Sequence, residues 1–180
     1  INMKKVAVVT GGGSGLGYAI AERFIQNGII TVIAGRDKEK LDKAKKNMGD
    51  LCHVQTCDVS DLASIPQFVH KVIEQFGQID ILVNNAGINQ KKEFTEVTDE
   101  EFNRIITTNL SAVFSMSREV VKHMLTSNTG CIINISSMAA QYGLPKVIAY
   151  SASKTAIDGL TRAMAVELSS PGDIVLVAGK

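Results

Sequence analysis

No single sign of charge dominates this chain: 19 Lys and Arg nearly balance 18 Asp and Glu, for a net charge of +1. Neither a nucleic-acid-binding surface nor a disordered segment follows from that balance. The one Lys-rich stretch, Lys38 to Lys46, has Asp and Glu interleaved and reads as a solvated helix face. Cysteine is scarce as well. Cys52, Cys57 and Cys131 are odd in number and lack a CxxC pair, which argues against a disulfide or zinc framework and for reduced thiols in the cytoplasm. His53, His70 and His123 fall at no ligand spacing, so no metal site is expected. No apolar run reaches the ~20 residues that span a bilayer. A strand begins almost at the N-terminus, so no leader is expected.

What is present is one domain's worth of chain. Its 180 residues, 45% hydrophobic, suffice for a sizeable core. Short apolar runs alternate with longer amphipathic ones. Strands are predicted near residues 6–9, 29–34, 51–56, 79–83 and 131–135. Helices are predicted through about residue 27 and over 37–48, 62–76, 99–107, 110–125 and 149–168. Repeated β-α-β units with continuously apolar strands imply an α/β fold: a doubly wound parallel sheet between two helical layers.

The sequence Thr10-Gly11-Gly12-Gly13-Ser14-Gly15-Leu16-Gly17 lies between the first strand and the first helix. Glycines there let the backbone turn tightly and approach a pyrophosphate, whose charge the helix N-terminus stabilises. No Gly-Lys-Ser/Thr follows, which excludes a P-loop. About 20 residues on, where an NAD site commonly places an acid, stands Gly35, followed by Arg36 and Asp37. The gap at Gly35 and the charge of Arg36 favour NADP(H), with NAD(H) still possible. Asp37 can instead cap the next helix.

Tyr150-Ser151-Ala152-Ser153-Lys154 places a phenol and an ammonium four residues apart, on one helix face. A nearby cation favours phenolate over phenol, which suits proton exchange near neutral pH. Ser137, at the end of a strand-like run, offers a hydroxyl to the same substrate oxygen.

With these features in this order, and with Asp58-Val59, Asn84-Asn85-Ala86-Gly87 and Asn109 at matching places, the chain resembles the classical short-chain dehydrogenase/reductase family from about Lys5 to Leu168. The resemblance implies a Rossmann-type fold and assigns roles. Tyr150 is the expected proton donor and acceptor. Lys154 is expected to bind the nicotinamide ribose and favour the phenolate. Ser137, rather than Ser136, is expected to polarise the carbonyl, and Asn109 to anchor a relay water. Gly11, Ser14, Gly15, Leu16, Gly17, Arg36, Asp58, Val59, Asn85, Ala86 and Gly87 complete the expected cofactor site. The activity implied is hydride transfer between nicotinamide and a carbonyl or secondary alcohol.

Members of that family run longer. The tail Pro171-Gly172-Asp173-Ile174-Val175-Leu176-Val177-Ala178-Gly179 looks more like the family's terminal strand than its sixth. A substrate-loop segment is therefore expected to be missing near Ser169 and Ser170. Residues 85–116 are similar both to 3-oxoacyl-(acyl-carrier-protein) reductases, the leading expectation, and to gluconate 5-dehydrogenase-like sugar enzymes. The polar run Asn89 to Lys92 leans toward a polar or anionic substrate. A non-catalytic dinucleotide-binding sensor or scaffold is the rival of another class. The resemblance also implies a homodimer or homotetramer paired through the long helix and the YxxxK helix.

Overall fold

Every residue of Val6–Thr10 (β1) is buried, as an apolar run must be when both faces of its sheet are covered. The computed structural model describes residues 4–169 and 173–179, the latter as backbone plus the side chain of Ile174. Around β1 stand Ile30–Gly35 (β2), Cys52–Thr56 (β3), Ile81–Asn84 (β4), Thr129–Ile135 (β5) and Asp173–Gly179 (β6). All pairs are parallel, in the order β3-β2-β1-β4-β5-β6. The helices are Gly15–Gln26 (α1), Lys38–Met48 (α2), Ile65–Phe76 (α3), Asp99–Ile106 (α4), Ala112–Ser127 (α5) and Ile148–Leu168 (α6).

Strand side chains alternate between two cores, as period-two geometry requires. Val8 and Val32 join Phe68, Val72, Met116 and Val120 from α3 and α5. Val9 and Ile33 join Ala21, Leu41 and Ala44 from α1 and α2. The strand order reverses between β1 and β4, so a crevice opens beyond their carboxyl ends.

A buried polar chain crosses the sheet next to that crevice. Asn84 Nδ2 donates to Ser117 Oγ (3.0 Å) and to Asn134 Oδ1 (2.8 Å). Asn134 Nδ2 donates to Thr161 Oγ1 (2.9 Å), whose hydroxyl donates to the Ile157 carbonyl. The chain ties α5 and α6 to the central strands. Asn134→Ala should cost about 2 kcal/mol through two lost bonds and the unpaired groups left behind. That corresponds to a fall in Tm of ~4–8 °C in a thermal melt.

Two expectations need correction. Residues 99–107 and 110–125 are not separate helices: α4 runs into α5 through a π-turn, Thr107–Ser111. Asn109 sits inside that turn rather than at a helix head, because one extra residue is accommodated without breaking the helix. The tail also behaves differently. β6 pairs directly with β5, Thr129 opposite Asp173 through Ile135 opposite Gly179, and so takes the sixth position with no strand between. Apolar residues along 174–178 satisfy a buried parallel strand as well as a terminal one. Ser170, beside which the missing segment is expected, lies outside the described residues, as do Pro171 and Gly172.

Candidate nucleotide cleft and catalytic residues

Thr10, the last residue of β1, organises the crevice. Its hydroxyl donates to the Val83 carbonyl (3.3 Å) and accepts from the N–H groups of Asn85 and Ala86, both at 3.0 Å. Asn85 Nδ2 returns two bonds, to the carbonyls of Thr10 (3.0 Å) and Gly11 (3.3 Å). The glycine turn after β1 and the Asn-Ala-Gly turn after β4 are thereby clamped together. Gly11 has φ +66°, open to glycine at little cost. A side chain at Gly17 would collide with the Gly11 carbonyl and the Asn85 amide. Thr10, a threonine immediately before the glycines, joins the expected site residues through partners 75 and 76 positions away.

The clamp borders a cleft of about 510 Å³, whose lining includes Gly11, Ser14, Arg36, Asp58, Val59, Asn85, Ala86 and Gly87. Gly15, Leu16 and Gly17 open α1 beside the cleft and are not in its wall. Asp37 caps α2, its Oδ1 accepting from Lys40 N at 3.0 Å. Arg36 and Lys40 are both exposed at the wall. Asp58 Oδ1 accepts from the hydroxyl (2.7 Å) and the N–H (3.0 Å) of Ser60. The Ser60 hydroxyl above all, helped by its N–H and the charge of Arg36, holds the Asp58 carboxyl below its ordinary range despite burial. Cys57 also lines the cleft, with burial pushing its thiol up to about 11.

At Gly87 the cleft meets Asn109 and Lys154, two of the candidate catalytic residues. A Cβ there would stand 3.3 Å from Asn109 Oδ1 and 3.7 Å from Lys154 Nζ. Asn109 is fully buried. Its Oδ1 accepts from Ile88 N (2.8 Å), and its Nδ2 donates to the Ile88 carbonyl (2.9 Å) and to Ser153 Oγ (3.1 Å). The Ser153 hydroxyl donates in turn to the Tyr150 carbonyl at 2.7 Å. Ser153, which lies within the YxxxK motif, thus links the Asn109 amide to the Tyr150 backbone. Lys154 is only 5% exposed. Its Nζ donates to the Ile135 carbonyl at 2.7 Å and lies 5.7 Å from the centre of the Tyr150 ring. Burial pulls its ammonium below the ordinary lysine range.

The two serines after β5 part company. Ser136 is buried, its hydroxyl directed at the Lys154 carbonyl (3.4 Å). Ser137 is half-buried and caps the short turn Met138–Ala140, its Oγ accepting from Ala139 N at 3.1 Å. The Ser137 hydroxyl proton is left to donate elsewhere. Among the described residues no helix is long and apolar enough to cross a membrane.

A doubly wound parallel sheet, a glycine-lined cleft at its switch point and a Tyr-Lys pair at the cleft edge define a Rossmann-type α/β protein. A sequence profile described as short chain dehydrogenase matches residues 5–178. The chain belongs to the short-chain dehydrogenase family. It is 40% identical over 169 residues to the 3alpha-hydroxysteroid dehydrogenase of Mediterraneibacter gnavus, covering 91% of this chain and 68% of that one. A solved structure of an actinorhodin polyketide ketoreductase variant with NADPH is similar at TM-score 0.93 and 36% identity, covering 97% of this chain and 69% of that one. The 3-ketoacyl-(acyl-carrier-protein) reductase of Brucella melitensis, complexed with NADH, matches at TM-score 0.93 and 35% identity, covering 97% and 73%. The chain spans about two thirds of the length of the curated relatives it matches.

Proposed function

We propose that this protein is an NADP(H)-dependent oxidoreductase that interconverts a carbonyl and a secondary alcohol, of the 3-oxoacyl thioester reductase kind. The observation that carries the reading is the junction at Gly87, where the missing side chain lets Asn109 and Lys154 reach the edge of the nucleotide cleft. The cleft fits a dinucleotide: a glycine turn at the N-terminus of α1, room at Gly35, and cations at Arg36 and Lys40. A bound nicotinamide dinucleotide supplies or accepts the hydride. Tyr150 delivers a proton to the carbonyl oxygen, and the free Ser137 hydroxyl proton holds that oxygen and stabilises its developing charge. Lys154 keeps ammonium protons beyond its bond to Ile135 for the cofactor ribose and for charge beside the phenol. Asn109 fixes the π-turn on which a relay water would sit.

Preference for NADP(H) rests on Asp37 being engaged as a helix cap while Arg36 and Lys40 face the cleft. Steady-state consumption of NADPH and NADH with 3-oxoacyl thioesters tests it. NADPH should be favoured, and Arg36→Ala should raise KM for NADPH on the order of tenfold with little change for NADH, as loss of one charge-assisted phosphate contact implies. Equal KM values for the two cofactors in the wild type would sink the preference.

Within the Asn89–Lys92 run that favours the sugar-acid alternative, Lys92 is paired with Glu101 at 2.8 Å, while Asn89 and Lys91 are exposed. The sensor alternative needs only the glycines, and the presence of Ser137, Tyr150, Lys154 and Asn109 in the sequence supports the enzyme reading over it. Exposed Phe114 and Leu125 on α5 and Val166 on α6 support homodimer or homotetramer pairing through those helices. Three free thiols support a cytoplasmic setting. The relatives' extra length is consistent with a substrate segment following α6.

A further inference from the structure

The nucleotide cleft has two sides. Helices α1 and α2 cover one face of the sheet, and α3 and α5 cover the other. Arg36 and Lys40 enter the cleft wall on the side of α2. On the other side stand Val59, which packs against the α3 and α5 core, and Arg104 and Thr108. Arg104 belongs to the last turn of α4 and Thr108 to the π-turn that leads into α5.

Arg104 is exposed in that wall, and among the described residues its guanidinium has no ion pair and no hydrogen-bond partner. Lys92 and Lys146, by contrast, are held by Glu101 and Glu93. An unpaired cation in the wall of a cleft is free to meet whatever the cleft binds.

The other polar groups of the wall match the other parts of a dinucleotide. The glycine turn at the N-terminus of α1 suits a pyrophosphate, and Arg36 with Lys40 suits a 2′-phosphate. Asp58 suits the exocyclic amine of adenine. Its Oδ1 takes both bonds from Ser60, so Oδ2 is left to accept among the described residues, and the carboxyl is held below its ordinary range. What remains is the face of the purine ring. No aromatic side chain lines the cleft, so no ring of the protein stacks on it there. A guanidinium is the planar substitute: weakly hydrated, cationic, and suited to lie on an electron-rich π-face.

We propose that Arg104 is a further cofactor-binding residue whose guanidinium lies against the face of the adenine ring. This rests on the dinucleotide part of the reading above, not on its proton path, and goes beyond it by assigning a residue of α4 to the base.

The test is equilibrium binding to the full chain, with no turnover needed. NADPH, NADH and reduced nicotinamide mononucleotide are titrated by their own fluorescence, and adenosine by displacement of NADPH. Arg104→Ala should raise Kd for NADPH, NADH and adenosine by one common factor of roughly fivefold. Kd for the mononucleotide, which has a phosphate but no adenine, should not move. Arg36→Ala gives the contrasting pattern, with NADPH weakened while NADH and adenosine are unaffected. Weaker NADPH with unchanged adenosine would make Arg104 a phosphate contact and overturn the proposal. Equal weakening of the mononucleotide, or unchanged Kd for NADPH, overturns it as well. Those results leave the nucleotide reading standing, because the wild type still binds NADPH. A wild type that binds neither NADPH nor NADH removes that reading and the role of Arg104 with it.

Discussion

Tyr150→Phe is expected to lower kcat by about 10³-fold while the cofactor dissociation constant stays within about twofold, the range general acid catalysis commonly spans. The substitution removes one oxygen and little else. The ring that faces Lys154 at 5.7 Å remains, and the bond from Ser153 to position 150 uses the backbone carbonyl. A loss of about 10³ is ~4 kcal/mol of transition-state stabilisation, more than a surface phenol contributes to folding. Stopped-flow reduction with NADPH and a thermal melt of the same sample separate the two effects. Unchanged Tm with lost turnover is the expected pair. Full turnover in the variant would remove Tyr150 from the proton path.

Much of this site is legible in the residue order because its chemistry is local. Tyr150 and Lys154 share one helix, and the glycines, Asn85 and Gly87 each follow a strand at its carboxyl end, so period and turn chemistry are enough to place them. Arg36 and Asp37 could be weighed against each other from cap preferences alone, and Asp37 does cap α2.

What was not legible depends on partners far apart in the chain. Thr10 binds Asn85 and Ala86 across 75 and 76 positions. Asn109 reaches Ser153 across 44, and the π-turn that aims it carries no hydrophobic signal of its own. The pairing of Lys92 with Glu101, nine positions away, engages one charge of the polar Asn89–Lys92 run. For the tail, apolar residues alone could not distinguish a sixth strand from a terminal one, and only pairing with β5 decides its position.

Lys154→Met should separate function from stability in the opposite sense. The ammonium is buried and hydrogen-bonded only to the Ile135 carbonyl among the described residues. Removing it eliminates the positive charge beside the phenol and the contact proposed for the ribose. A fall in kcat/KM of about 10³ is expected, with cofactor affinity weakened, unlike the tyrosine variant. Stability should not fall with it. A buried charge is costly even when one carbonyl satisfies it, and apolar replacements of similar volume are commonly neutral or stabilising. The pH dependence distinguishes this from a simple packing change. Burial lowers the Lys154 pKa in the folded state relative to the unfolded chain. Between the two values the unfolded state binds more protons, so wild-type stability contains a contribution that rises with pH through that window and is complete above the ordinary lysine range. Below the folded value the lysine is charged in both states, and its desolvation cost is present in full. The methionine variant lacks this contribution, so its excess stability over the wild type should be largest near neutral pH and shrink as the solution becomes alkaline. Denaturant midpoints of both proteins across that range measure it. A variant less stable than the wild type at neutral pH, with a gap that does not change on raising the pH, would mean that the ammonium is held favourably by the fold rather than kept there for the reaction.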